Sequence, residues 1–223
     1  MRGYSHALIG AATGILVSNI LKTNYIETTA ICTTASVLVD IDENNSLINQ
    51  ILFPINKNKR PILKATLGAA MCLFLTPYGS IITKYMGKMI PSLFMQQVIG
   101  YLGLILILSV VSGKVEYRFS LFKGFEKREY HRTYFHNPII GIIILAAPLF
   151  YLNISSHRII AYIAGLFTHY LADSFTAYGL PRLSGVKPIR MPIYYHSDNT
   201  IIEMIIVAGY LVLMFTLNNQ LVH

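Results

Sequence analysis

Of the seven histidines in the chain, His6, His131, His136 and His169 fall in short motifs, and Asp40, Asp42 and Asp173 fall in the same or neighbouring ones. Imidazole nitrogens and carboxylate oxygens without thiolates suit zinc, manganese or iron, and more than four such donors are enough for two ions. His169 and Asp173 are four residues apart and Thr176 lies three further on, so a helix would stack all three on one stripe. Such a pair on an apolar helix is costly to bury unless it meets a cation, a partner or water. His131 and His136 are five apart and share no helix face. They reach one site only if the backbone between them is non-helical, which Asn137-Pro138 favours. Each motif also has a plainer reading. His6 can be an interfacial residue, Asp40-Ile-Asp42 a solvated turn or cap, and His169/Asp173 a hydrogen bond that locks two helices.

The elements that must position these residues are apolar. The chain has 223 residues, of which 54% are hydrophobic and 13% charged, with a mean hydropathy of +0.52. That excludes an ordinary soluble domain and predicts an all-α, polytopic membrane bundle of roughly seven helices, some short or re-entrant, in a single domain over residues 1–223. The predicted spans cover about Tyr4–Leu21, Ile26–Val39, Ile62–Ile82, Ile90–Val111, Ile139–Leu152, Ser156 to the His169/Asp173 motif, and Asn199–Leu217. Gly179 and Pro181 are expected to stop the sixth. Residues 112–132, with Lys114, Arg118, Lys123, Lys127 and Arg128, read as a basic cytoplasmic loop or an interfacial helix. Cys32 and Cys72 sit inside apolar runs and are expected to behave as small hydrophobes.

A net charge of +8 would suggest nucleic acid in a soluble protein. In a membrane protein, basic loops report orientation or lipid headgroups, so no nucleic-acid partner is expected. Alternating seven helices puts most of the lysines and arginines on one side, which the positive-inside rule makes cytoplasmic, with the carboxy terminus opposite. The same alternation places His6, Asp40, Asp42, His131, His136 and the Asp173 end of the sixth helix near that face.

On Ser5-His6-Ala-Leu-Ile-Gly10, Val39-Asp40-Ile-Asp42, His131-Arg132-Thr-Tyr-Phe-His136-Asn137 and His169-Tyr-Leu-Ala-Asp173-Ser-Phe-Thr176-Ala-Tyr-Gly179-Leu-Pro181, the chain resembles the YdjM-type inner-membrane metal-dependent hydrolases, also described as LexA-binding. The resemblance runs nearly end to end, and the last motif is the most specific. The chain departs from the family pattern at four positions. Thr133 replaces a glycine, Phe135-His136-Asn137 replaces Thr-His-Ser, and Val39 replaces a proline. The first two bear on substrate contacts more than on metal binding. The resemblance implies a metal-dependent hydrolase with a helical His/Asp site, distantly similar to zinc-dependent phospholipase C, in a bacterial inner membrane.

The expected function is therefore hydrolysis of a phosphoester, with a lipid phosphate as the favoured substrate class, at the cytoplasmic surface of the bilayer. His6, Asp40, Asp42, His131, His136, His169 and Asp173 are the expected ligands of a divalent metal, zinc first and manganese or iron after it. Asp40 or Asp173 would bridge metals or take a proton, Arg132 and Arg190 would bind phosphate through guanidinium forks, and Thr176 would support the site from behind. The alternatives are a metal-ion transporter using the same ligands, or a membrane module that holds a regulatory protein on its basic loops. The sequence leaves oligomeric state open.

Overall fold

A computed structural model describes residues 3–43, 46–76, 78–79, 81, 93–119, 134–151, 154–177, 179–180, 189–192 and 199–222. Among the described residues the chain is all-α, with eight α-helices and no strand: α1 Gly3–Leu21, α2 Tyr25–Leu38, α3 Leu47–Leu52, α4 Arg60–Cys72, α5 Leu93–Phe119, α6 Pro138–Tyr151, α7 Ser156–Ser174 and α8 Thr200–Val222. Single 3-10 turns at Val39–Asp42, Leu73–Leu75 and Tyr134–His136 extend or precede them.

Among the described residues, α1 and Thr200–Leu221 of α8 are long and apolar enough to cross a membrane by length and composition. Helices α2, α4 and α6 have 14, 13 and 14 residues, about 20 Å each at about 1.5 Å per residue. That is short of a hydrocarbon layer of about 30 Å. The expected bundle of roughly seven helices, some short, is met in its all-α class and in these three short members. Part of the predicted basic loop or interfacial helix is described as well. Helix α5 continues through its first residues as far as Phe119, while residues 120–133 lie outside the described ones.

Helices α1, α2 and α7 form the layer that matters for the site. Lys22 takes a left-handed φ of 51° and reverses the chain, and the Asn24 side chain caps α2 by accepting from the amides of Ile26 and Glu27. A Cβ at Gly10 would lie 2.7 Å from Ser36 Cβ, and one at Gly14 would lie 2.5 Å from Thr29 Cα, so the small residues let α2 run antiparallel against α1. Helix α7 packs parallel to α2, where Gly165 meets the carbonyl of Cys32, and Cys32 Sγ donates to Ala161 O at 2.9 Å. Both cysteines are free, and Cys32 is buried as a small apolar group. Behind this layer, Val39, Ile41, Ile105, Phe135, Leu145 and Leu166 form one apolar core.

Helix α8 adds to the other side of α1 in parallel. Ser5 Oγ donates to Glu203 Oε1 at 2.6 Å, Thr13 and Tyr210 hydroxyls meet at 2.8 Å, and Asn19 pairs with Asn218. Ile9 and Val207 fill the space between the first two rungs. The rest of α8 faces outward, with Ile201, Ile205, Val212 and Phe215 all exposed. Exposed apolar surface on this scale is what a bilayer covers.

Candidate metal centre

Four elements deliver six of the seven predicted ligands to one buried cluster: His6 from α1, Asp40 and Asp42 from the turn after α2, His136 from the turn before α6, and His169 and Asp173 from α7. His131 and Arg132 lie outside the described residues. Arg190 is exposed and follows Ile189, which pairs with Leu180 in an isolated bridge. Thr176 is fully buried, but it is not on the helical stripe. Helix α7 ends at Ser174, before Gly179 and Pro181, and the Thr176 hydroxyl donates to Asp173 O at 2.7 Å. Through this bond it fixes the backbone at Asp173. Gly179 instead takes the left-handed φ of 62° that lets Leu180 turn back toward Ile189.

The turns are held from behind. Helix α2 tightens into a 3-10 turn at Val39–Asp42, and two donors grip the carbonyl between the aspartates: Asn49 Nδ2 at 2.9 Å and Lys64 Nζ at 2.5 Å from Ile41 O. His136 sits on the non-helical segment that Asn137-Pro138 favoured. The Tyr170 hydroxyl donates to Phe135 O at 2.9 Å, and Asn137 Oδ1 caps α6 by accepting from the amides of Ile139 and Ile140 at 3.1 Å each. Ser36 links two of the helices, since its hydroxyl donates to His6 O at 2.8 Å while its own carbonyl accepts from His169 Nδ1 at 2.7 Å. A ring nitrogen facing a carbonyl carries the proton, so His169 Nε2 is left with its lone pair aimed into the cluster.

At the centre, Asp40 Oδ1 lies 3.1 Å from His136 Nε2 and 3.7 Å from His169 Nε2. Asp173 Oδ1 lies 3.4 Å from His6 Nε2, and its Oδ2 lies 3.5 Å from His169 Nε2 and 3.9 Å from His136 Nε2. The His6 and His169 rings stack with centroids 3.9 Å apart. Bonds of about 2.0–2.2 Å put two ligands of one tetrahedral zinc about 3.3–3.6 Å apart, and the observed separations cluster around that value. Two groups bring three ligand atoms within 4.8 Å of one another: His6, His169 and Asp173, and Asp40, His136 and His169. His169 Nε2 has one lone pair and can serve only one ion. Two ions would therefore have to share carboxylates.

Hydrogen bonding leaves this cluster incomplete. Both ring nitrogens of His6, His169 Nε2, His136 Nδ1 and both Asp42 oxygens are buried without a hydrogen-bond partner among the described residues. Buried polar atoms are rarely left so, and six in one place fit a group that a metal would complete. Asp42 stands apart from the rest. Its Oδ2 faces His136 Nδ1 at 3.9 Å, the nitrogen turned away from Asp40.

Charge follows the same division on the two turns. Burial pushes the Asp42 carboxyl up to about 7, against the pull of His136. Burial alone would also raise Asp40, but His169 and the hydrogen bond from His136 outweigh it and hold Asp40 well below the usual carboxylate range. Burial opposes a charge on His136 as well, yet the hydrogen bond to Asp40 and the nearby Asp42 and Asp173 carboxylates push the imidazole up to about 9.

Three contributors to the site were not singled out from the sequence. Ser36 and Asn49 carry no local signal, because their roles depend on long-range contacts. Lys64 did carry one, as a lysine inside an apolar run, and it is 1% exposed. Glu203, in the first turn of α8, is fully buried against Ser5, the residue before His6.

The fold and the cluster define an all-helical protein with an apolar exterior and a buried His/Asp centre able to hold metal. The chain belongs to the YdjM inner membrane protein family, which it matches over residues 1–222. With the two long apolar helices, that membership makes this a membrane protein. No curated protein and no solved structure matches the chain.

Proposed function

We propose that this protein is a metal-dependent hydrolase of phosphoesters, with a lipid phosphate as substrate, embedded in the inner membrane with its site at the cytoplasmic face. The observation that carries the reading is the set of buried, unpartnered ring nitrogens of His6 and His169 directed at Asp173 and Asp40 at metal-ligand spacing. When bound, a divalent cation of the zinc class supplies a Lewis acid that makes water a nucleophile near neutral pH and polarises a phosphoryl oxygen.

The chain's own groups divide the remaining work. His6, His169, His136, Asp40 and Asp173 would hold the ion, with His131 as a further ligand, and Asp40 and Asp173 would take a proton from the attacking water. Water adds to phosphorus, the ester P–O bond breaks, and a proton goes to the departing alcohol. Asp42 would act from behind, where its Oδ2 faces His136 Nδ1 at 3.9 Å on the side of the ring away from Asp40. Arg132 and Arg190 supply guanidinium groups for the phosphate. The short helices α2, α4 and α6, together with α7, lie within the bilayer layer marked by α1 and α8.

A transporter would need polar groups that continue across the bilayer. The α1–α8 rungs do not provide them, since Ser5 and Thr13 are eight residues or about 12 Å apart along the helix with Ile9 and Val207 between.

The test is metal content of the purified protein together with hydrolysis of 4-nitrophenyl phosphate and phosphatidic acid. Wild type should carry zinc, manganese or iron and release phosphate, and His169→Ala and Asp173→Ala should lose both while retaining the helical circular dichroism of the parent. Wild-type protein that neither carries nor takes up a divalent metal would overturn the proposal.

A further inference from the structure

A cavity of about 590 Å³ opens between α2, α3, α4 and α5, within the size range of small-molecule sites. Its lining is almost wholly apolar. Leu38, Ile41 and Ile105 form a buried floor, and Ile51, Leu67 and Leu102 form an exposed mouth. Packed interiors do not keep voids of this size, so hydrocarbon must fill it when the protein sits in a bilayer.

Bulk lipid would satisfy that requirement anywhere on the surface, but this cleft is placed against the His/Asp cluster. Ile41 lies between Asp40 and Asp42, and its side chain lines the cleft while both carboxylates belong to the cluster. Ala7, next to His6, lines the cleft as well. One short stretch of backbone thus has an ionic side and a hydrocarbon side. An amphiphile with a phosphate at one end and an acyl chain at the other matches both at once.

We infer that the cleft under Ile41 is the acyl-chain subsite for a lipid whose phosphate reaches the His/Asp cluster. This rests on the metal-centred reading given above. The chain enters past Leu67 and Leu102 from the bilayer and ends against Leu38 and Ile41, which brings the ester to the turn that carries Asp40.

Two photoreactive lipids that differ only at the head test it: phosphatidic acid with a diazirine in its acyl chain, and diacylglycerol with the same chain. Each is incorporated with the zinc-loaded full-length protein into phosphatidylcholine nanodiscs, and labelled peptides are mapped by mass spectrometry. Hydrolysis of tail-less 4-nitrophenyl phosphate is measured alongside. Phosphatidic acid should label α4 and α5 around Leu67 and Leu102 about tenfold more than diacylglycerol, a difference of about 1.4 kcal/mol. Asp40→Asn should remove that preference by releasing the head, and Leu67→Trp should remove it by filling the mouth. Leu67 is partly exposed, so the larger side chain does not enter the core, and Leu102→Trp provides a second plug. Neither plug should alter turnover of the tail-less ester.

Equal labelling by the two lipids, or preferential labelling elsewhere, would overturn the subsite even if the tail-less ester is hydrolysed. Phosphate-dependent labelling of the cleft without hydrolysis of any ester would keep the subsite and remove the hydrolase.

Discussion

Two faces of α1 bury polar side chains, and they do so in opposite ways. Toward α8, Ser5 donates to Glu203, Thr13 meets Tyr210 and Asn19 pairs with Asn218, each rung a polar group meeting another. Toward α2 and α7, one residue further along the chain, His6 brings two ring nitrogens that meet no hydrogen-bond partner among the described residues. The first pattern is adhesive: within a bilayer, side-chain pairs of this kind hold helices together. The second is a liability to stability, and it makes sense only if something else completes it. Polarity alone therefore does not separate a site from a seam. The difference lies in whether the polar atoms already satisfy one another.

The contrast can be broken most strongly at Gly165. A Cβ there meets the Cys32 carbonyl and lies 2.8 Å from Ala35 Cβ. Gly165→Leu should lift α7 from α2, cost about 3 kcal/mol by overpacking, and abolish metal binding measured by isothermal titration calorimetry. His6→Gln should also abolish metal content measured by mass spectrometry, yet shift the melting temperature of metal-free protein by no more than a few degrees, because the native imidazole faces Asp173 at a long 3.4 Å.

Proton competition sharpens the distinction. His136 titrates at about 9 in the folded protein, above its ordinary 6.5, so its pairing with Asp40 stabilises metal-free protein fully below pH 6.5 and is lost as the pH rises toward 9. Asp42, raised from 3.8 to about 7, has the same sign at lower pH. Metal binding needs His136 deprotonated, so zinc affinity should rise across the window in which metal-free stability falls. Thermal melts in chelator and at fixed subsaturating zinc should therefore slope in opposite directions with pH.

The seam gives the converse outcome. Glu203→Leu should lose about 2 kcal/mol with the charge-assisted hydrogen bond while retaining full metal content. The smallest effect should come from the Thr13→Val and Tyr210→Phe double-mutant cycle, with a coupling of about 0.6 kcal/mol and no change in metal affinity.

How much of this was legible in the sequence depended on how local the signal was. His169 and Asp173 declared themselves by helical spacing, and Asn137-Pro138 announced the break that frees His136 from a helix face. The helix count was less accessible, because an apolar run such as Ile62–Ile82 does not show where the backbone tightens at Leu73–Leu75. Gly179 and Pro181 looked like the stop for α7, but the helix ends earlier, where Thr176 turns its hydroxyl back on Asp173 O. Lys64 was legible and overlooked. The roles of Ser36 and Asn49 could not be read, since each bonds backbone atoms that only tertiary packing brings near.

The parallel seam between α1 and α8 joins two helices that lie far apart in the chain. Ser5 and Glu203 are 198 residues apart, so on the ribosome the rung beside His6 forms only after Glu203 has been made. Until then α1 can pair with α2 and α7 but lacks its outer cover. A chain that stalls or is cut before α8 is left without that rung.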